Sequence, residues 1–425
     1  MKSTDRGQQR QTRKDAEVTK EMAAPEGQAK GMDDRHHHNH QASVAQLCFA
    51  AAAPGFEPWV AQELRELGLA SREVEGGAEF QAKIEQLAAI VRHLRVASRV
   101  LVRMAEGRVE DPSSVRGLVG RVAWTVLPAH PTRIALRLTA QGAPPDRIRW
   151  VQAELLRALC ERFGADRVVA SAVTEAPDDV ALVARLDGRI CSLSVDAGGK
   201  PLHLRGYRLE AGPAPMRETV AAAMLRAIGF GGHGTVWDPM CGSGTTLIEA
   251  ALWGRELPRE LGDFGVDQWR SKDLSVLSVR GAADPADGAV RLVGGDLDPD
   301  VLQIARRNAA RAGVAERITW LDAELAAQRF ESVEPGFVVT NPPYGQRLGG
   351  RNAARRLYER LGAVLARRCG GWRAAVLVPE QELARALPFR DLQLCSVDNG
   401  GLKVWLATGE LAAGIRRGHA RTRRP

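Results

Sequence analysis

The 425-residue sequence contains no uninterrupted apolar run approaching the ~18 residues that a membrane-spanning helix requires. Its six cysteines, Cys48, Cys160, Cys191, Cys241, Cys369 and Cys395, include no C-x-x-C pair. Their spacing therefore suggests neither a zinc site nor a disulfide framework, and it fits a reducing cytoplasm. Lys2, Arg6, Arg10 and Lys14 near the N-terminus are followed by no apolar core of the secretory kind, so nothing here directs export. What remains is the composition of an ordinary soluble globular protein, 44% hydrophobic and 26% charged, long enough for roughly two or three domains. The formal net charge of +8 comes mostly from arginine and favours a polyanionic partner through phosphate contacts and counterion release.

Composition shifts divide the chain. Residues 1–43 are rich in Gln, Lys, Asp and Gly and too poor in large apolar side chains to offset the entropy of ordering, so a disordered tail is expected; its His36, His37, His38 and His40 are read as solvated. Residues 44–112 read as strand, helix, hairpin, helix, strand, with Phe56, Val60, Leu64 and Leu67 at helical spacing and a hairpin turn at Gly76-Gly77. Residues 113–199 repeat a mixed pattern, with strands in TRIALRLTA, VALVARLDG and RICSLSVDA and a helix from Arg147 to Phe163. The turn-rich residues 200–216 are read as a linker.

From 217 to 410 strands and helices alternate, which implies a parallel sheet covered on both faces. The strands are GTVWD, VRLVGGD, RITWLD, FVVTN and AAVLVP, then an antiparallel pair turning at Asn399-Gly400-Gly401. This α/β pattern, a parallel sheet closed by an antiparallel hairpin, is that of a Rossmann-like class I methyltransferase domain preceded by an α+β module. Residues 411–425 form a basic tail with Arg416, Arg417, Arg421, Arg423 and Arg424.

Four strand ends carry the chemistry. The first runs into Asp238, Pro239, Cys241, Gly242, Ser243, Gly244 and Thr245, a glycine-rich strand-to-helix turn. Its glycines permit close approach, and its free N–H groups suit the carboxylate of S-adenosylmethionine. It is neither a G-x-G-x-x-G dinucleotide turn nor a Walker loop. Asp296, ending the second strand, is placed to accept from ribose hydroxyls. Asp298 precedes Pro299, where it either caps the next helix or contacts the ligand. Asp322, ending the third, either receives the adenine amino group or is solvated.

The fourth strand ends in Asn341, Pro342, Pro343 and Tyr344. The prolines hold an extended backbone without N–H donors, so the Asn341 amide oxygen and the Pro342 carbonyl are free to accept from an exocyclic base amine. Two acceptors on its hydrogens draw that nitrogen toward tetrahedral, nucleophilic character, while Tyr344 stacks on the extruded base. Alignment with an activated methyl is then the mechanism, with no general base of shifted pKa.

With FAAAAPGFEPWVAQELRELG, LHLRGYRLEAGPAPMRETVAAA, DPMCGSGTTLIEAA, GGDLDPD and TNPPYGQRLG in this order, the sequence resembles the THUMP-containing RNA guanine-N2 methyltransferases, and among them the bacterial enzymes acting on 23S ribosomal RNA. The resemblance runs from about Cys48 to Ala407. It implies a ferredoxin-like subdomain (44–112) and a THUMP domain (113–199) that capture structured RNA, ahead of the catalytic domain. It also implies that Pro215, Arg217, Glu218 and Thr219 help cover S-adenosylmethionine. The expected partner is ribosomal RNA or a ribosome assembly intermediate, with no membrane and no metal. Transfer RNA guanine, DNA adenine N6 and protein glutamine are the alternative substrates, because N-P-P-Y loops also resemble those enzymes. Some relatives carry a second methyltransferase domain; here only the basic tail follows the first, so a second methylation is expected to be absent or separate.

Overall fold

The computed structural model describes residues 44–128, 131–171, 179–210, 216–257, 264–269, 290–332, 336–344 and 350–413. The polar tail 1–43, Pro215 and the arginines beyond residue 413 lie outside the described residues. Order starts with β1 (Gln46–Ala51) and α1 (Glu57–Glu66), which opens behind Pro58 and buries Val60, Ala61 and Leu64. β2 (Ser71–Val74) and β3 (Gly77–Ala82) form a hairpin. It turns at Glu75-Gly76 rather than at Gly76-Gly77, because Gly77 is already paired with Val74 and with Ala51. α2 (Ile84–His93) and β4 (Arg99–Arg108) follow.

The next stretch opens with α3 (Pro112–Gly120), a helix the sequence reading left out, although Asp111 announces it by accepting from the Ser114 N–H at 2.7 Å. Then come β5 (Ile134–Gln141), α4 (Pro145–Phe163), β6 (Val168–Val169), β7 (Val180–Asp187) and β8 (Ile190–Asp196). Among the described residues these strands make one eight-stranded sheet in the order β2-β3-β1-β4-β8-β7-β5-β6. The expected boundary at residue 112 therefore interrupts no sheet: β4 and β8 pair antiparallel from Leu101 opposite Asp196 to Arg108 opposite Ile190.

The remaining elements are α5 (Glu218–Ala227), β9 (Gly234–Asp238), α6 (Thr245–Ala251), β10 (Val290–Asp296), α7 (Pro299–Arg311), β11 (Ile318–Asp322) and β12 (Gly336–Thr340). α8 (Arg351–Arg368), β13 (Arg373–Val378), α9 (Gln381–Ala384), β14 (Gln393–Asn399) and β15 (Leu402–Glu410) complete the chain. The second sheet has the order β11-β10-β9-β12-β13-β15-β14, parallel except for β15. β9 and β12 are buried along their whole length because helices cover both faces, as a parallel sheet requires. One apolar cluster runs from Phe56 and Leu64 of the first half into Leu225 and Leu247 of the second. A second, with Trp237, Val338, Tyr358 and Trp372, fills the opposite face. Order also passes the expected limit at Glu410, since Leu411 is buried and its N–H donates to the Trp372 carbonyl at 2.8 Å. Among the described residues no helix is long and apolar enough to cross a membrane.

Residues 200–210, expected as part of a linker, form a strap from which Arg205 and Tyr207 point inward. Arg205 is 0% exposed and Tyr207 2%. Both reach Glu249 of α6, itself 0% exposed, through Arg205 Nε at 3.4 Å and the Tyr207 hydroxyl at 3.0 Å. Arg95, just after α2, donates to the other Glu249 oxygen at 3.3 Å and to the Arg255 carbonyl at 2.6 Å. Its carbonyl in turn accepts from Arg205 at 2.6 Å. Glu63 of α1 accepts from the N–H groups of Arg95 and Val96, both at 2.9 Å, and from Arg226 of α5 at 3.2 Å. Arg205 and Tyr207 are buried in a polar segment because both find a partner in Glu249, while Lys200, Leu204 and Leu209 of the same segment stay exposed. Removing one partner from such a set leaves charge unpaired where water cannot reach it. Glu249→Ala is therefore expected to lower unfolding stability by about 3–5 kcal/mol, measured by urea denaturation; a loss within 1 kcal/mol, roughly the worth of an exposed pair, would contradict this account.

Candidate active site

The strand order reverses between β9 and β12: β10 and β11 lie on one side of β9, while β12 and β13 lie on the other. In open α/β sheets this switch point leaves a crevice beyond the carboxyl ends of the strands. β9 and β12 are in register with Val338 opposite Trp237, so Asp238 and Asn341 leave the same edge on adjacent strands. The glycine turn and the Asn-Pro-Pro-Tyr loop are thereby brought together.

The glycine turn is held from several sides. The Cys241 N–H donates to the Gly295 carbonyl of β10 at 2.9 Å, and the Gly242 N–H donates to Asp296 Oδ2 at 2.9 Å. Gly244 lies at φ 82°, and a Cβ there would stand 2.8 Å from Trp320 Cη2, so both backbone and space demand glycine. Nothing lies within 4 Å of the corresponding point on Gly242, which faces open space. Ser243 and Thr245 are buried, and the Ser243 carbonyl accepts from Asn308 of α7 at 3.3 Å. Burial pushes the Cys241 thiol far above its ordinary value, which leaves it protonated and a poor nucleophile.

Asp296 thus supports the turn as well as facing the crevice; its other oxygen accepts from the Asp298 N–H at 3.1 Å. Asp298 caps α7, accepting from the N–H groups of Asp300 at 2.9 Å and Val301 at 3.3 Å. Asp322 is exposed and stands directly opposite Asp296 in the β10–β11 ladder. The three carboxylates line the edge from β10 to β11, beside backbone N–H groups at the glycine turn. The carboxylates fit the ammonium, ribose hydroxyls and adenine amine of S-adenosylmethionine, whereas the N–H groups of Cys241, Gly242 and Gly244, expected to be free for its carboxylate, are engaged within the turn and with β10.

Asn341 and Tyr344 are half-buried, and Pro342 is buried. The Tyr344 hydroxyl donates to Asn341 Oδ1 at 2.8 Å and accepts from Asn399 Nδ2 at 3.1 Å. Burial pushes the Tyr344 phenol up to about 12, so it keeps its proton for Asn341. The ring expected to stack on the base is thus anchored by its hydroxyl. Glu218 is buried, and both its oxygens accept from Arg208 of the strap, at 2.9 and 3.1 Å, which ties the strap to α5; Thr219 beside it is also buried. Pro215, expected to cover the cofactor, lies outside the described residues.

Residues that sequence reasoning missed are the polar supports behind the loops. Gln328 is buried, accepts from Trp237 Nε1 at 2.9 Å and donates to the Pro239 carbonyl at 3.0 Å. Asn308 is buried beneath Ser243. Both sit in helical or loop sequence with no local mark of burial; the Ser243 and Trp237 partners that place them behind the site are 65 and 91 residues away.

Asp238 is 2% exposed, and burial raises its carboxyl to about 7, against the pull of the Met240 N–H. The neutral acid is the form the fold favours, so its stabilising effect is complete below the ordinary carboxyl pKa and is lost as pH rises through about 7. Asp238→Asn removes that titration. Its stability relative to the parent is expected to improve by on the order of 2 kcal/mol between pH 5 and pH 8, measured by thermal unfolding. Parallel curves for the two proteins would show that Asp238 does not titrate as described.

Comparison with known proteins bears on the same two parts of the chain. The family model described as the RMKL-like methyltransferase domain matches residues 205–407, and that of the RlmL ferredoxin-like domain matches residues 48–101. A protein of Syntrophotalea carbinolica named ribosomal RNA large subunit methyltransferase K/L is 34% identical over 387 residues, 86% of this chain and 53% of its own length. Its namesake in Shewanella frigidimarina is 31% identical over 368 residues, 84% of this chain and 51% of its own. The chain thus spans about half the length of the curated relatives it matches. Among solved structures, a possible methylase from Clostridium difficile 630 superposes with a TM-score of 0.71 at 25% identity, covering 88% of this chain and 100% of that one. Residues 205–407 are thus similar to the RMKL-like methyltransferase domains and residues 48–101 to the RlmL ferredoxin-like domains, in that order along the sequence.

Proposed function

We propose that this chain transfers the methyl group of S-adenosylmethionine to the exocyclic N2 amine of a guanine in RNA, with 23S ribosomal RNA, free or in a ribosome assembly intermediate, as the substrate, in the cytoplasm. The observation that carries this reading is the meeting of the glycine turn and the Asn-Pro-Pro-Tyr loop at the switch point between β9 and β12. Bound there, S-adenosylmethionine supplies a methyl group on a positively charged sulfur, an electrophile that needs no further activation. The glycine turn from Asp238 to Thr245 holds its amino-acid end. Asp296 takes the ribose, Asp322 the adenine amine, and Asp298 adds charge beside the helix it caps.

The substrate amine is held by Asn341 Oδ1 and the Pro342 carbonyl. Asn341 Oδ1 already accepts one proton from Tyr344, and a carbonyl oxygen with two lone pairs retains one for the amine. Tyr344 presents its ring edge and face beside the base while its hydroxyl stays fixed, and Pro343 keeps the loop extended. Glu218 and Thr219 at the start of α5, tied to the strap through Arg208, help cover the cofactor.

The eight-stranded sheet supports RNA over protein as the substrate. Residues 44–112 and 113–199 are read together as a ferredoxin-like and THUMP module that captures structured RNA. A groove of about 860 Å³ crosses this sheet and reaches Arg217 and Thr219 at the edge of the catalytic half. Arg99, Arg103, Arg137 and Arg185 line it, interspersed with carboxylates such as Glu79 and Asp187. Arginines in a groove of mixed charge suit a folded RNA backbone whose phosphates arrive at set positions.

The test incubates the full chain with radiolabelled S-adenosylmethionine and, separately, ribosomal and transfer RNA from a strain lacking the gene, followed by mass spectrometry of nucleosides. N2-methylguanosine in 23S RNA is expected; N6-methyladenosine or label in protein would overturn the guanine reading, and label confined to transfer RNA would overturn the ribosomal one. In the same assay Asn341→Ala should lower kcat by on the order of 10²-fold or more, with cofactor affinity by calorimetry unchanged. Equal loss of both would place Asn341 in the scaffold instead.

A further inference from the structure

β14 is the edge strand of the catalytic sheet, and it is docked on the first half of the chain. The Asp398 N–H donates to the Pro54 carbonyl at 3.0 Å, and the Cys395 thiol donates to the Gly55 carbonyl at 3.6 Å. Gly55 has φ 90°, and a Cβ on it would lie 2.2 Å from the Ser396 carbonyl oxygen, so this close approach admits no side chain. Glu57 holds the loop in shape by accepting from the Gly55 N–H at 2.7 Å. Pro54 and Asp398 also line the arginine groove.

The next residue, Asn399, is 9% exposed and turns its amide toward the catalytic loop. The donor inventory gives the chain of bonds a direction. Asn341 Oδ1 only accepts, so the single Tyr344 proton goes to it at 2.8 Å; the Tyr344 oxygen then accepts from Asn399 Nδ2 at 3.1 Å. Without a donor from Asn399, the Tyr344 hydroxyl is free to turn away, and Asn341 is free to rotate its amide and offer N–H groups to an amine that needs an acceptor.

We propose that Asn399 is a positioning residue for methyl transfer: it orients the Tyr344 proton onto Asn341 Oδ1 and so keeps that oxygen facing the substrate amine. Because β14 rests on the Pro54–Gly55 loop, the RNA-capturing module becomes part of the support for the catalytic loop. The proposal rests on the methyl-transfer reading of Asn341 given above.

Asn399→Asp and Asn399→Ala in the full chain test it. An ionised aspartate at 399 accepts from Tyr344 and pulls its proton off Asn341, whereas a protonated one donates as the amide does. Burial lifts an introduced carboxyl above its ordinary range. The titratable groups around this strand end are Cys395, Asp398 and Lys403 on the hairpin, Tyr344 on the catalytic side with Tyr358 beyond it, and Glu57 at the start of α1. Asn399→Ala keeps this same set, so pH dependence found only in Asn399→Asp belongs to position 399.

Asn399→Asp should lose kcat by on the order of 10²-fold at pH 8 and recover to within a few-fold of the parent at pH 5.5, with KM for S-adenosylmethionine unchanged. Asn399→Ala should stay low throughout. An independent readout comes from 13Cζ-labelled tyrosine, since the chain has three tyrosines and Tyr344→Phe assigns the signal by deleting it. In Asn399→Asp the Tyr344 signal should move with pH, and kcat should track it. A Tyr344 signal that does not titrate, or that titrates while turnover stays at the parent level or at the Asn399→Ala level, would overturn the proposal. A parent protein inactive on RNA would instead remove the methyl-transfer reading, while the tyrosine signal still reports whether the bond chain exists.

Discussion

Glu249 carries a negative charge into a place from which water is excluded, on the short helix that begins at the glycine turn. Two guanidiniums, from Arg95 and Arg205, follow it there, and each is fixed in turn by backbone carbonyls. Charge in low dielectric is tolerated only when every partner is in place, so this set defines one arrangement of α2, the strap and α6 against alternatives that a purely apolar contact would permit. The two sheets are locked by this constraint, and α6 receives its position from residues of both.

The catalytic edge follows the same economy of polar groups. Its loops are not free backbone; buried amides and carboxylates hold them at carbonyls and N–H groups. Asp296 supports Gly242, Gln328 supports Pro239, and Asn308 supports Ser243. Each side chain reaches from a neighbouring strand end or helix, so the crevice inherits the register of the sheet. On the proposed function the work of this site is alignment, which needs such support more than it needs a titrating group.

Much of the architecture was legible because the signals are local. β9 and β12 read as continuous apolar runs ended by Asp and Asn-Pro-Pro, and Asp298 before Pro299 marks the start of α7, where the cap is the role the structure forms. Less was legible where partners are distant. Arg205 and Tyr207 fell in a segment read as a linker because it is turn-rich, yet their partner Glu249 lies 44 and 42 residues away. The joining of the first two subdomains depends on the β4–β8 pairing, which no local pattern announces. Tyr344 was read for its ring; its hydroxyl answers to Asn399, 55 residues later. α3 was missed despite a visible Asp-Pro-Ser-Ser start, because its apolar positions are few.

The β4–β8 ladder, which shifts register between Arg103 and Ala105, joins the two parts of the sheet that bears the groove, and the charged clasp behind it ties that sheet to the helix that begins at the crevice. On the proposed function such a frame acts as a caliper. The span between where a nucleic acid is gripped and where a base is presented is set by folded protein, and the flexible member of the pair is the RNA. Selection among guanines then becomes a matter of reach: a nucleotide is chosen for lying at the right separation from a recognised stem, whatever its immediate neighbours spell.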